Sequence, residues 1–358
     1  MLRIFSQYGR DGASSRVRVY QWLERCGVEH RLHAYARTGS VGHRTLLHHP
    51  LAAGRGELHA RFATVGPSDT VLVHRAATPF GQGTVEGRLL GSAGLGVYDF
   101  DDALQWEPPR RGLPYRFFPR PEATLRAVQA ADRVIAGNPT LAEWAAAHAA
   151  DVRLVPSCVE PSLYVRKHDY GLADPPVIGW VGSPSTFRYL GSVAAALLEV
   201  NRRTGAVLEV IGAPAATAGP LETIIRRITW TGSAVHNRAA GWDLGVMPLT
   251  DGLYERGKCG YKLLEYGAAG LPVVGSPVGV NREILGRMAA PAPTDVDDWV
   301  EALTGLLDGP ASARAEAGAR ARRVVEEQYS YAVWEGEWRA ALGLAAAGRP
   351  ARQPVMVR

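Results

Sequence analysis

Twice along this chain, short uninterrupted apolar runs alternate with longer Ala/Leu/Arg-rich stretches of helical period. That pattern permits few folds. Strands apolar on both faces must be buried on both, and helical connections between them make the sheet parallel. The first series predicts strands at 2–6, 70–75, 95–99, 132–136 and 152–155, with helices at 14–26, 82–91, 120–131 and 138–149. The second predicts strands at 177–182, 207–212, 227–231, 243–248 and 272–275, with helices at 185–202, 220–226, 258–269, 295–308 and 312–328. Residues 156–176 between them are rich in Pro and polar residues and have no period. The expected class is α/β, with two Rossmann-like doubly wound domains at 1–160 and 177–328 and a linker at 161–176. An amphipathic helix at 329–346, with Trp334 and Trp338 one turn apart, could pack on either domain, and 347–358 is a tail. Ligands of open α/β sheets bind outside the carboxyl ends of the strands, so a central cleft is the expected site.

Charge narrows the partners. Lys+Arg is 40 against 35 Asp+Glu in 358 residues, a net +5. That excess is thin for a nucleic-acid binder and suits anionic small molecules or an anionic surface. Cys26, Cys158 and Cys259 are far apart and form no CxxC pair, which argues against a zinc knuckle or disulfide framework. There is no apolar leader and no run near ~18 apolar residues. The expected location is therefore the cytoplasm, with peripheral contact at the inner membrane face. Oligomeric state is not readable from the sequence.

The stretch DLGVMPLTDGLYERGKCGYKLLEYGAAGLPVVGSPVGVN (243–281) carries the most chemistry. A buried strand is followed by a Gly-containing loop and a helix expected from about Lys258 to Ala269. Free backbone N–H groups and the positive end of the helix dipole suit phosphate there. Arg256 and Lys258 would sit poorly at such a terminus unless an anion arrived. Glu265, seven residues after Lys258, lies on a similar helix face and could accept hydrogen bonds from a ribose diol.

The segment RGKCGYKLLEYGAAGLPVV resembles the donor-binding region of family 4 glycosyltransferases, which have the GT-B fold. ASSRVRVYQWL (13–23), VYDFDDAL (97–104), AADRVIAGNPTLAEW (130–144) and VIGWVGSPSTFRYL (177–190) agree in order and spacing over about residues 1–340. The resemblance implies a retaining enzyme that moves a sugar from a nucleoside diphosphate to an acceptor hydroxyl, with no cofactor. The co-substrate would be a nucleotide sugar, UDP favoured over GDP. On this analogy the C-terminal domain holds the donor. Glu265 would bind ribose, Gly182, Ser183, Arg188, Arg256, Gly257, Lys258 and Gly260 the diphosphate, and Trp230 would border the base. Catalytic roles fall to Lys258, Arg256 and Asp99. The N-terminal domain would take a small-molecule or lipid-linked acceptor, in natural-product or cell-envelope glycoside assembly.

Two departures stand out. The first Glu of the family's Glu-x7-Glu pattern falls at Gly257, so Glu255 or Asp251 would have to replace it. The usual Arg…Lys pair is missing from the loop at 183–188, leaving Arg188, Arg256, Lys258 or Arg16 to supply charge.

Other residues are open to two readings. Asp99, Asp101 and Asp102 end a strand and read as sugar or acceptor contacts, as helix N-caps, or as metal ligands. The expectation is no metal, because Lys and Arg can stabilise the leaving diphosphate. His74 is either structural or a substrate contact. Gly12 and Arg16 belong to a plain strand–helix turn or to a loop closing on substrate. PPRRGLPYRFFPRPEATLR (108–126) is a solvated loop or an acceptor and lipid-facing lip. No Ser-His-Asp order stands out. Rival functions are a GT-B sugar-nucleotide 2-epimerase and a non-catalytic sugar-nucleotide-binding protein.

Overall fold

The computed structural model describes residues 1–36, 49–108, 117–213 and 217–345. It divides into two compact units. The first comprises 1–157, 257–259 and the chain from Tyr331; the second comprises 158–256 and 260–330. The 347–358 tail and residues 109–116 of the Arg/aromatic stretch lie outside the described residues.

The first unit holds a six-stranded parallel sheet of order β2-β1-β3-β4-β5-β6. Its strands are β1 (Leu2–Tyr8), β2 (His30–Ala36), β3 (Thr70–His74), β4 (Leu95–Phe100), β5 (Arg133–Ala136) and β6 (Val152–Leu154). β2 was not foreseen. HRLHAYA is exposed over its first residues and lies at the edge of the sheet, so it lacks the continuous apolar signature of its neighbours. The helix Pro50–Phe62 also escaped, because Gly54, Gly56 and three exposed apolar residues blur its period.

Three aromatic rings hold the returning chain on this unit. Trp338, on the helix Tyr331–Ala341, stacks on Trp22 with ring centres 5.2 Å apart. Tyr331 meets Trp22 edge-on at 4.6 Å. Such pairs add about 0.5–1.5 kcal/mol each beyond their burial.

The second unit holds a five-stranded parallel sheet of order β11-β10-β7-β8-β9. Its strands are β7 (Val177–Val181), β8 (Val207–Ile211), β9 (Ile225–Ile228), β10 (Leu244–Met247) and β11 (Val273–Gly275). Successive residues point to opposite faces. Thus Val177 and Val181 join one core with Leu263, Leu264 and Tyr266, while Ile178 and Trp180 join another with Leu197, Leu208 and Trp299.

Four expectations change in this unit. The expected linker packs against it: Lys167 N–H bonds Ala269 O at 2.8 Å and Tyr170 hydroxyl bonds Gly270 O at 2.8 Å. The helix at 185–202 is two helices, Pro184–Ser192 and Ala194–Thr204, broken at Val193. The strand at 227–231 ends at Ile228, leaving Trp230 beyond it. The helix expected at 258–269 begins at Tyr261, so Lys258 precedes it rather than opening it.

Candidate active site

The carboxyl ends of β1, β3 and β4 in the first unit carry a dense polar cluster. Asp99, the fifth residue of β4, is buried. Arg18 reaches both its oxygens, and Arg18 Nη1 also donates to Val155 O at 2.6 Å. Arg18 comes from a wide π-helical turn, Arg16–Tyr20, a local form often found at functional sites. The ring of His74, which ends β3, donates Nδ1–H to Asp99 Oδ2 at 2.6 Å. Its Nε2 faces Ser14 Oγ at 2.8 Å, and Ser14 Oγ donates to Asp101 Oδ1 at 2.7 Å. Ser14, His74 and Asp99 are thus joined in a chain that sequence order did not suggest.

Arg75 completes the cluster. Its φ is +61°, a conformation that costs a non-glycine residue about 1–3 kcal/mol. Four contacts offset that. Its N–H donates to Asp99 O at 2.9 Å, its carbonyl accepts from Tyr98 hydroxyl at 2.8 Å, and its guanidinium bonds Asp101 at 2.7 Å and Asp102 at 3.4 Å. Burial pushes the Asp99 carboxyl up, but Arg18 and His74 outweigh it and hold it below the usual range. Asp101 is likewise held well below, burial being outweighed by Arg75, His74 and Arg18. Asp99 is thus enclosed by Arg18 and His74 and holds the His74 ring in place.

The loop 257–259 belongs to this cluster. Lys258 Nζ lies 3.5 Å from Asp102 Oδ1. Asn138 Nδ2 donates to Gly257 O at 2.7 Å, and Cys259 Sγ donates to Asp101 O at 3.0 Å. Burial pushes the Cys259 thiol up to about 12, which makes it a fixed hydrogen-bond donor. Gly257 leaves no room for a side chain. A Cβ there would fall 2.4 Å from Ala103 Cβ and 3.1 Å from Leu141 Cδ2. Overpacking of this kind costs typically 1–3 kcal/mol. Gly257→Ala is expected to lower the urea midpoint accordingly and Ala103→Gly to recover part of the loss; an unchanged midpoint would refute the steric account. Gly260, at φ +64°, then turns the chain into the helix Tyr261–Ala269.

The second unit holds the other expected residues in separate groups. Glu265, buried on that helix, accepts from Tyr164 hydroxyl at 3.2 Å. Glu255 is buried and accepts from Tyr189 hydroxyl at 2.6 Å and Arg188 Nη2 at 3.2 Å. Burial, followed by bonds and charges that include Glu255, brings the Tyr189 hydroxyl to about 12. Arg256 and Asp251 are exposed and pair at 2.6 Å. Gly182 follows β7, and Ser183 precedes the helix Pro184–Ser192 with its Oγ 2.9 Å from Ser185 Oγ. Trp230 is exposed. Gly12, in the first unit, accepts from Arg16 N–H at 2.8 Å, and Arg16 is half-buried.

Arg18, Arg75, Tyr164 and Tyr189 were not anticipated. Arg18 and Arg75 had a signal: each is a cation within or beside an otherwise apolar run, where burial requires a partner. Tyr164 had none, because its neighbourhood reads as linker.

Residues 175–309 match the family described as Glycosyl transferases group 1. No curated protein matches the sequence. The structure superposes on WaaG, a glycosyltransferase involved in lipopolysaccharide biosynthesis, with TM-score 0.64 and 16% identity over 96% of this chain and 100% of that one. It superposes on Anabaena HepE in complex with UDP-glucose at TM-score 0.63 and 15% identity, over 96% and 99%. OtsA, a trehalose-6-phosphate synthase, gives TM-score 0.65 at 10% identity, over 96% and 99%. At these identities the likeness defines the fold, and that fold is GT-B.

Proposed function

We propose that this GT-B glycosyltransferase, whose residues 175–309 form a group 1 domain, moves a sugar from a nucleoside diphosphate to an acceptor hydroxyl. The donor is a UDP-sugar, the anomeric configuration is retained, and no metal takes part. The observation that carries the reading is the family match over residues 175–309 of the second unit, with the buried carboxylate of Glu265 inside it. HepE, of the same fold, has been captured with UDP and with UDP-glucose, which supports UDP as the base carrier here.

The chemistry follows from charge. Breaking the glycosyl–phosphate bond builds negative charge on the leaving diphosphate, and fixed cations and N–H donors stabilise it. Lys258, Arg256 and Arg188 are assigned to that work, with Ser183 and the backbone at Gly182 and Gly260. Each cation has a carboxylate within 3.5 Å: Asp102, Asp251 and Glu255. These pairs keep the cations ordered and would have to loosen for a diphosphate. Glu265 holds the ribose diol, and the Tyr164 hydroxyl on its Oε1 fixes the carboxylate's orientation. A retaining reaction lets the leaving phosphate take the acceptor proton, so the enclosed carboxylates need not act as bases. The acids of the first unit are bonded to Arg18, Arg75 and Lys258, and a metal would have to displace those cations.

No helix among the described residues is long and apolar enough to cross a membrane. We place the reaction in the cytoplasm, on a small-molecule or lipid-linked acceptor.

Calorimetric titration in EDTA tests the donor assignment. UDP is expected to bind in the micromolar range and GDP at least tenfold more weakly, with UDP binding lost in Glu265→Ala. Equal affinities, or no effect of the substitution, would overturn the assignment; UDP binding that appears only with added divalent metal would overturn metal independence.

A further inference from the structure

Two buried amides at the carboxyl edge of the first sheet lack the hydrogen bonds their burial calls for. Gln7, next to last in β1, is 1% exposed. Its Oε1 accepts from Arg120 Nη2 at 3.2 Å, which orients the amide and leaves Nε2 without a partner among the described residues. Gln105, in the short turn Leu104–Trp106 after β4, is 8% exposed, and among the described residues neither its Oε1 nor its Nε2 has a partner. Arg120 ties this edge together, with its guanidinium 3.3 Å from Tyr8 hydroxyl and 3.0 Å from Glu107 Oε2. A buried polar group left unmade costs about 1–3 kcal/mol, so three such atoms in one region need a reason.

Their chemistry indicates what fits. An amide offers an acceptor and two donors without charge, which matches hydroxyl groups that both donate and accept. Three cations at this edge are already paired: Arg120 faces Glu107, Arg75 faces Asp101 and Asp102, and Arg18 faces Asp99. A phosphate or carboxylate arriving here would lose its hydration and would have to break an existing pair to gain a counter-ion. The carboxyl edge of an open parallel sheet is also where ligands of such folds bind.

We infer that Gln7 and Gln105 line the acceptor subsite of this enzyme, and that it accepts an uncharged polyhydroxyl compound, a sugar or cyclitol, in preference to a phosphorylated one. The inference rests on the glycosyl-transfer reading and adds the class of acceptor to it.

Saturation-transfer NMR on the full chain tests it, with D-glucose, myo-inositol and glucose 6-phosphate as probes at millimolar concentration and UDP present to fill the donor side. Glucose or inositol is expected to give signal and glucose 6-phosphate at least fivefold less. Gln105→Met should abolish the neutral-polyol signal while leaving the melting temperature unchanged or raised, because it removes an unpartnered amide. Gln7→Met should weaken the signal, and UDP affinity should stay the same in both. Four results would overturn the inference: no signal from either neutral polyol, a preference for the phosphorylated probe, polyol binding untouched by Gln105→Met, or a melting temperature that falls while binding persists. Failure of UDP to bind the wild-type chain is a separate outcome, since it removes the donor assignment and with it the premise.

Discussion

Lys258→Ala should lower kcat by about 10²–10³, the loss typical of removing one donor aimed at developing charge. It should also weaken UDP binding far more than UMP binding. Lys258 is one of only three lysines among the 40 Lys and Arg residues of the chain. Its side chain is 15% exposed and its ammonium lies 3.5 Å from Asp102. An ammonium so enclosed loses much of its hydration, and a β-phosphate that can share it gains more than it would from an exposed cation. Arg256 makes the contrast. It is half-exposed and paired with an exposed Asp251, so Arg256→Ala should cost less than a tenth of the Lys258 effect. The measurement is a calorimetric series with UMP and UDP together with initial rates of sugar transfer. Parallel losses for the two nucleotides would remove Lys258 from the diphosphate, and a larger effect at Arg256 would reverse the ranking.

The two sheets were legible because their central strands are apolar on both faces. VIGWV and TVLVH admit hardly any other placement. The edge strand HRLHAYA was not legible, since one side of an edge meets solvent and the apolar run dissolves. The start of the helix Tyr261–Ala269 differs from the expected Lys258 for a local reason. RGKCGYKLLEY looks like a Gly-rich helix entrance, yet Gly257, Lys258 and Cys259 are tied to Asn138, Asp102 and Asp101, all far away in sequence. No periodicity reports a tie of that kind. Single-residue candidates fared according to whether burial changes their meaning. Asp99, Asp101 and His74 were picked as polar residues at strand ends, and they do sit together, but as a network closed by Arg18 and Arg75. Glu265 was picked for its place on the helix and is where that reading put it, with Tyr164 arriving from the presumed linker.

The same network sets the second large effect. Arg18→Met should destabilise the first unit by about 3–5 kcal/mol, because it strands a buried carboxylate. Asp99→Asn, which keeps an acceptor for His74 Nδ1–H, should cost about as much by stranding Arg18. The double variant should be far more stable than the sum of the two, since neither charge is then buried alone. Urea unfolding followed by tryptophan fluorescence reads the cycle, with Trp22 and Trp338 stacked in this unit as reporters. Additive losses would mean that the pair contributes packing and not charge. The pH dependence has a fixed sign. Asp99 and Asp101 have folded-state values below the unfolded one, so they stabilise fully above the unfolded carboxylate value near ~3.9, and the contribution is lost as pH falls through the folded values. Arg18 stays charged throughout and adds no slope. Wild-type stability should therefore fall as pH drops below about 4. Asp99→Asn should show a shallower acid slope than wild type, with Asp101 and the other depressed carboxylates, such as Asp69 and Asp151, still contributing. Arg18→Met should be destabilised most near neutral pH and approach wild type in acid, where protonation of Asp99 relieves the stranded charge. An Arg18→Met deficit that is constant across pH would mean that Asp99 is not charged in the folded protein, and the electrostatic account of the cluster would fall with it.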